Sequence, residues 1–192
     1  MQHATVAYYA EADYLVNEAA SATKHEYVAG EVFTMAGASK RHGTLALNAA
    51  IALRQGLRVQ PCAVFMADMK VRVHADSASY LAYYYPDVVA TCDPADLSPD
   101  APKDHLQAPK LVIEVLSDST KPVDRREKLL SYRRLPSLIE YVLVDQNKAW
   151  VEVFRRTPAG WTQDIYEAGE TVQLASVDVQ IPMAELYADT NI

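Results

Sequence analysis

Glu114 lies inside Leu111-Val-Ile-Glu-Val-Leu116, a stretch otherwise apolar on both faces, as the central strand of a covered sheet is. A carboxylate taken out of water there must be protonated, paired with a cation or bound to a metal. From position alone, an ion pair with a buried arginine or lysine and a functional role explain it equally well. Asp87 follows a proline at the head of a second apolar run, Tyr85-Pro-Asp-Val-Val89. Pro-Asp by itself is a turn signal, and that is the plainer reading. Two acids on successive strands of one sheet can also converge on a hard cation. Mg²⁺ takes oxygen ligands, commonly one or two carboxylates together with the phosphates of a substrate. Bound there, it would orient a water and stabilise the charge of a pentavalent phosphorane.

A helix expected over Asp124–Leu135, ended by Pro136, adds a third group. At about 100° per residue, Lys128 projects with Tyr132 and Leu135, and Arg125 and Asp124 fall on the same side. Arg126, Glu127, Arg133 and Arg134 fall on the opposite, solvated side. A cation near Asp87 and Glu114 would hold an attacking water or neutralise a transition state. Snorkelling around the core edge, or an Asp124 N-cap with incidental neighbours, explains the same positions. His42, on the helical face of Leu45, Ala49 and Leu53, reads first as a core or helix-start histidine. Glu31, after Gly30 in a hairpin, reads first as an exposed strand acid, and Asp68 and Lys70 alternate as on a half-exposed strand. His74, Cys62 and Cys92 have no ligand-spaced partners, so no zinc site is expected. The chain has no Gly-rich phosphate loop, no Gly-x-Ser-x-Gly elbow and no His-Glu-x-x-His, so P-loop, triad-hydrolase and zincin chemistry are poor readings.

The elements that must position these groups follow from the same periodicities. Tyr14–Ala22 reads as a short helix, Glu26–Met35 as a hairpin turned at Ala29-Gly30, and His42–Gln55 as a helix stopped by Gly56. Strands are expected at Ala63–His74, Tyr83–Cys92, Lys110–Leu116 and Glu140–Asp145. A long polar surface loop, Asp93–Gln107, lies between two of them. Trp150–Arg156 and Trp161–Tyr166 form a hairpin around Pro158-Ala-Gly160, and Thr171–Ile181 alternates like an edge strand. The core order, helix, three strands, helix, strand, is an α/β sheet with helices packed on it.

Composition bounds the partners. The 192 residues carry 18 Lys and Arg against 25 Asp and Glu, a net charge of −7, so any nucleic-acid site must be a local basic patch. Lys40, Arg41, Arg125 and Lys128 are the candidates for it. Two cysteines are too few for a disulfide framework. Met1–Ala12 has no basic start followed by an apolar stretch, so no signal peptide is expected, and no run reaches the ~18 apolar residues of a membrane span. A reduced, cytoplasmic protein with a single domain over residues 1–192 is the expectation.

Four segments together resemble the Uma-two family: Pro86-Asp87; Leu111 to Thr120, Leu-Val-Ile-Glu-Val-Leu-Ser-Asp-Ser-Thr; Asp124-Arg-Arg-Glu-Lys128; and Tyr132 to Asp145, Tyr-Arg-Arg-Leu-Pro-Ser-Leu-Ile-Glu-Tyr-Val-Leu-Val-Asp. Glu26-Tyr-Val-Ala-Gly-Glu31 and Arg41-His-Gly43 resemble its N-terminal signature. The family is bacterial, abundant in cyanobacteria, and assigned to the PD-(D/E)xK restriction-endonuclease-like nucleases. The resemblance implies a restriction-endonuclease-like α/β fold with added β-hairpins, Asp87 as the first motif acid and Glu114 as the second. The superfamily lysine two residues after Glu114 is replaced here by Leu116, and Lys128 from the following helix is the residue that can supply its charge.

The expectation is therefore a Mg²⁺- or Mn²⁺-dependent phosphodiester hydrolase acting on DNA. Asp87 and Glu114 bind the metal, Lys128 positions or polarises the water, and Glu31, His42 and Arg125 form a second tier. A homodimer would cover the edges that the terminal hairpins expose. The alternative is a non-catalytic DNA- or protein-binding module on a nuclease fold.

Overall fold

Strands buried on both faces read as continuous apolar runs, and three such runs form the middle of the main sheet. The computed structural model describes residues 8–35, 37–75, 80–118 and 123–192. The chain begins with α1 (Glu11–Ala20), β1 (His25–Val28), β2 (Glu31–Thr34) and α2 (Lys40–Gly56). Next come β3 (Ala63–Met66), β4 (Lys70–Ala75), β5 (Tyr80–Tyr84), β6 (Val88–Thr91), α3 (Pro94–Leu97) and β7 (His105–Leu106). After β8 (Leu111–Leu116), a π-helical turn (Asp124–Lys128) runs into α4 (Leu129–Tyr132). β9 (Glu140–Asp145), β10 (Trp150–Thr157), β11 (Gly160–Glu167), β12 (Thr171–Leu174), β13 (Val179–Pro182) and α5 (Met183–Leu186) complete it.

The main sheet has the order β11-β10-β9-β8-β6-β3, with β8 and β9 parallel and the other neighbours antiparallel. Every residue of β6, β8 and β9 is buried, because both faces are covered. On one face α2 packs Leu45, Ala46, Ala49, Ala50 and Leu53 against Ile113, Val115 and Val142. Ser39 caps this helix, its hydroxyl accepting from the His42 amide at 3.1 Å, so it starts at Lys40, two residues before the expected start. The other face carries Val112, Leu116 and Leu143 against Leu129 and Tyr132 of α4 and residues of a second sheet. That sheet runs β2-β1-β5-β4-β7.

The mixed α/β class is as expected, but two expected strands are each two. Ala63–His74 breaks at Ala67, which takes a left-handed φ of 45°, and Lys24 fixes the bend by donating to the Ala67 carbonyl at 3.2 Å and pairing with Asp68. Tyr83–Cys92 breaks at Pro86, which has no amide to donate to a ladder. At both breaks the chain passes between the sheets: β3 and β6 pair in the main one, β4 and β5 in the second. The Asp93–Gln107 loop contains α3, capped by Asp93, and β7, which adds parallel to β4. Thr171–Ile181 is the greater part of a hairpin, β12–β13, rather than one edge strand. Among the described residues no helix is long and apolar enough to cross a membrane.

The cysteines correct the expectation of reduced thiols. Cys62 and Cys92 flank the Ala63–Thr91 pair of the β3–β6 ladder, and the register brings their Cα atoms to 4.1 Å in a disulfide. Removing it as Cys62→Ala/Cys92→Ala should lower stability in urea by about 2–4 kcal/mol, as opening a closed loop of this length does. Thiol titration of the unreduced, unfolded wild type should find no free thiol. Two free thiols would contradict the bond.

Candidate active site

Asp87 sits at the crossing between the sheets, directly before β6, and its carbonyl accepts from the Ala67 amide across the other crossing at 3.2 Å. Antiparallel pairing of Val88 with Ile113 makes Glu114 the next residue opposite Asp87. One oxygen of Asp87 accepts from the Val115 amide at 2.7 Å, and the other lies 2.7 Å from His42 Nε2 at the start of α2. An ionised carboxylate only accepts, so the imidazole donates. Thus His42, a secondary candidate in the sequence, joins the first acid.

Glu114 points away from α2, towards the π-helical turn. Lys128 Nζ lies 3.4 Å from Glu114 Oε1, 3.4 Å from Asp124 Oδ1 and 2.8 Å from Glu26 Oε1. Glu26 Oε1 also accepts from the Tyr85 amide at 3.2 Å, and the Tyr132 hydroxyl donates to Glu114 at 3.4 Å. The helical projection places Lys128 inward, and it is 6% exposed. The π turn sets Asp124 and Lys128, four residues apart, both inside, and the Tyr141 hydroxyl anchors its first carbonyl at 3.0 Å. The cluster opens to water on the side of Asp87, whose side chain is 21% exposed against 4% for Glu114.

One ammonium facing several carboxylates leaves the site short of positive charge. Burial pushes the Glu114 carboxyl well above its usual pKa; Lys128 opposes this, and Asp124, Asp87 and Glu26 add to it. Burial pulls the Lys128 ammonium down, but Glu114, Glu26 and Asp124 outweigh it and hold the pKa well above the usual value. Two other buried strand acids are different. Glu140 holds Arg155 at 2.7 Å and the Ala175 and Ser176 amides, and Glu152 holds Arg125, Trp150 and Gln163. Each of the two meets an arginine.

Three expectations change here. Arg125 does not meet Asp87 or Glu114; its fork closes on Glu152 of β10. Glu31 opens β2 opposite Val28 and forms no ion pair among the described residues, whereas Glu26 of the same hairpin reaches Lys128. Alternation puts Glu26 and Tyr27 on opposite faces of a four-residue strand, and nothing local says which face meets Lys128. Of the basic-patch candidates, Lys128 is buried and Arg41 donates to the Thr190 and Gln146 carbonyls.

Among the described residues no group of three or more histidine, cysteine or acidic side chains is arranged to hold a metal ion. The donors at Asp87 and Glu114 are oxygens only, and the surplus negative charge around Lys128 suits a hard divalent cation that completes its shell with water or phosphate. Two carboxylates fit such an ion.

Residues 11–184 match the Uma2 family, described as “Putative restriction endonuclease”. The chain belongs to the Uma2 family. It is similar to two uncharacterized Synechocystis proteins: 29% identical over 176 residues, covering 91% of this chain and 89% of that protein, and 33% identical over 145 residues, covering 76% and 79%. Its fold is similar to the crystal structure from Anabaena variabilis described as a putative nuclease belonging to DUF820. The TM-score is 0.70 at 14% identity, covering 88% of this chain and 92% of that one. The mixed α/β fold is thus the one the motifs imply.

Stability separates the roles of the pair. Lys128→Met removes the cation from the buried Glu114 and Asp124 and the half-buried Glu26 and should cost about 3–5 kcal/mol in urea unfolding. Glu114→Gln leaves Lys128 with Glu26 and Asp124 and should melt at the wild-type temperature or above. The sign with pH follows from the raised pKa. The folded state holds this proton more tightly, so the group's contribution is present at low pH and is lost as pH rises through the folded value. Above the ordinary carboxylate value of 4.5, wild type should therefore lose stability relative to Glu114→Gln. Parallel melting curves across pH check this, and a constant difference would contradict it.

Proposed function

We propose that this Uma2 protein is a magnesium-dependent phosphodiester hydrolase acting on DNA. The observation that carries the reading is the surplus of carboxylates around one buried lysine beside Asp87, since an ion that balances it is a hard cation held by oxygen. The family description and the nuclease-like fold support the same class. Asp87 and Glu114 would hold the ion. When bound, it supplies Lewis-acid activation of water and charge stabilisation on the scissile phosphate.

The chain's own residues do the rest. The Val115 amide and His42 fix both oxygens of Asp87, so the carboxylate is oriented before any ligand arrives. Lys128, held by Glu26 and Asp124, keeps a positive charge against Glu114. The Tyr132 hydroxyl adds a donor to the same oxygen. In-line attack of water on phosphorus would form the new P–O bond and break the bond to the leaving oxygen, which takes up the proton that the water gives up.

Calorimetric titration with Mg²⁺ and Mn²⁺ should show one binding event in wild type and none in Asp87→Ala. Plasmid nicking with Mn²⁺ should fall by at least ~100-fold in Asp87→Asn and in Glu114→Gln, the scale expected when charge-stabilising groups are lost. Equal metal affinity in Asp87→Ala, or equal nicking by all three proteins, would sink the reading. Metal-independent DNA binding without nicking would favour a non-catalytic module.

A further inference from the structure

The arginines beyond Lys128 take no part in the acidic cluster. Arg133 lies half-buried, its guanidinium carbon 5.6 Å from the centre of the Phe154 ring and 5.1 Å from that of Trp161. Arg156 covers the same Trp161 ring at 4.7 Å, and the exposed Arg134 stands 4.6 Å over Tyr80. The sequence places Arg133 in solvent with Arg134; the two aromatic rings instead draw it against the sheet.

These cations have no counter-charge. Arg72, Arg125 and Arg155 form ion pairs, but Arg133, Arg134 and Arg156 form none among the described residues. Arg156 gives Nε to the Leu138 carbonyl and Nη2 to the Arg133 and Leu135 carbonyls, closing the end of α4, and Nη1 takes no part in these bonds. Arg133 Nε is buried with no acceptor. Burial and the Arg156 charge both push the Arg133 pKa below its usual value. A chain of net charge −7 thus sets two guanidiniums against one ring with no ion pair among the described residues. An anion beside the two guanidiniums would relieve their repulsion.

A chain of buried and part-buried contacts joins the patch to the acidic cluster. Tyr80, under Arg134, bonds Ser131 and Tyr84 at 3.0 Å each, and the Tyr84 ring lies 5.6 Å from Lys128 Nζ. Five residues separate Lys128 from Arg133, roughly 7.5 Å at ~1.5 Å per residue.

We propose that Arg133, Arg134 and Arg156, grouped around Trp161 and Tyr80, bind the phosphate backbone of duplex DNA beside the acidic cluster. The choice of DNA rests on the nuclease reading; the binding itself requires no cleavage. Planar guanidinium forks match phosphate oxygens two at a time, and backbone contacts of this kind carry no base preference.

Anisotropy of a labelled duplex, measured in EDTA across a salt series, tests this. Arg133→Gln/Arg134→Gln should weaken binding at least ten-fold at low salt and flatten the log–log salt slope by ~2, about 0.9 per lost phosphate contact. The control Arg54→Gln/Arg58→Gln removes the same charge from exposed positions in and just after α2, on the opposite face of the main sheet, and should stay within two-fold. Arg156 is kept because it closes the helix. Should the double variant fold poorly, Arg134→Glu alone, at an exposed position, should still weaken binding at least five-fold. Absence of wild-type binding, unchanged binding in both patch variants, or equal displacement of the duplex by polyglutamate would overturn the proposal. Loss of binding in the patch variants with no wild-type nicking would keep this surface and sink the nuclease reading. Wild-type nicking with unchanged binding in the variants would do the reverse.

Discussion

The ammonium of Lys128 is the point at which three parts of the molecule meet. Glu26 comes to it from the second sheet, Glu114 from the main sheet and Asp124 from the turn that carries the lysine. Buried charge is tolerated only where it is compensated, so these elements are held to one geometry by one cation. An apolar contact slides with little penalty; a shared buried ion pair does not. The packing of Tyr132 and Leu129 on the main sheet therefore has a fixed register as well as a favourable area.

Asp87 is held by a different constraint. It occupies the crossing from β5 to β6, and the crossing from β3 to β4, at Ala67, is bonded to it. Proline ends β5, the left-handed Ala67 ends β3, and the carboxylate between them is fixed by a backbone amide and a histidine from α2. The acid at the mouth of the cluster is thus set by backbone, whereas the acids within it are set by charge. A ligand arriving at Asp87 meets a preformed carboxylate, which limits the reorganisation its binding requires.

The distribution of charge divides the protein in the same way. Glu140 and Glu152 each neutralise an arginine and serve to pin β10 to its neighbours, including the loop at Ala175–Ser176. The cluster around Lys128 keeps a negative surplus, and the surface around Trp161 keeps a positive one. The Tyr80–Tyr84 pair lies between them.

The sequence by itself determined which residues are inside. A carboxylate within Leu111–Leu116 cannot escape burial in a two-faced strand, and the spacing of Lys128 with Tyr132 and Leu135 turns that lysine inward whatever it meets. These are local consequences of the pleat and the helical repeat, and the family motifs add the order of the elements to them. Tertiary structure alone decided partners. Projection put Arg125 beside Lys128 on the inner face, yet its fork reaches Glu152 two strands from Glu114. Glu26 and Glu31 share one hairpin, and only the seating of the second sheet against the turn selects Glu26. Likewise Cys62 and Cys92 meet because β3 and β6 pair in one register. Burial is written in the period of a short segment, because the chain's own geometry sets which way each side chain points. Pairing joins segments far apart in the chain, and only the assembled sheets bring those charges within reach of one another.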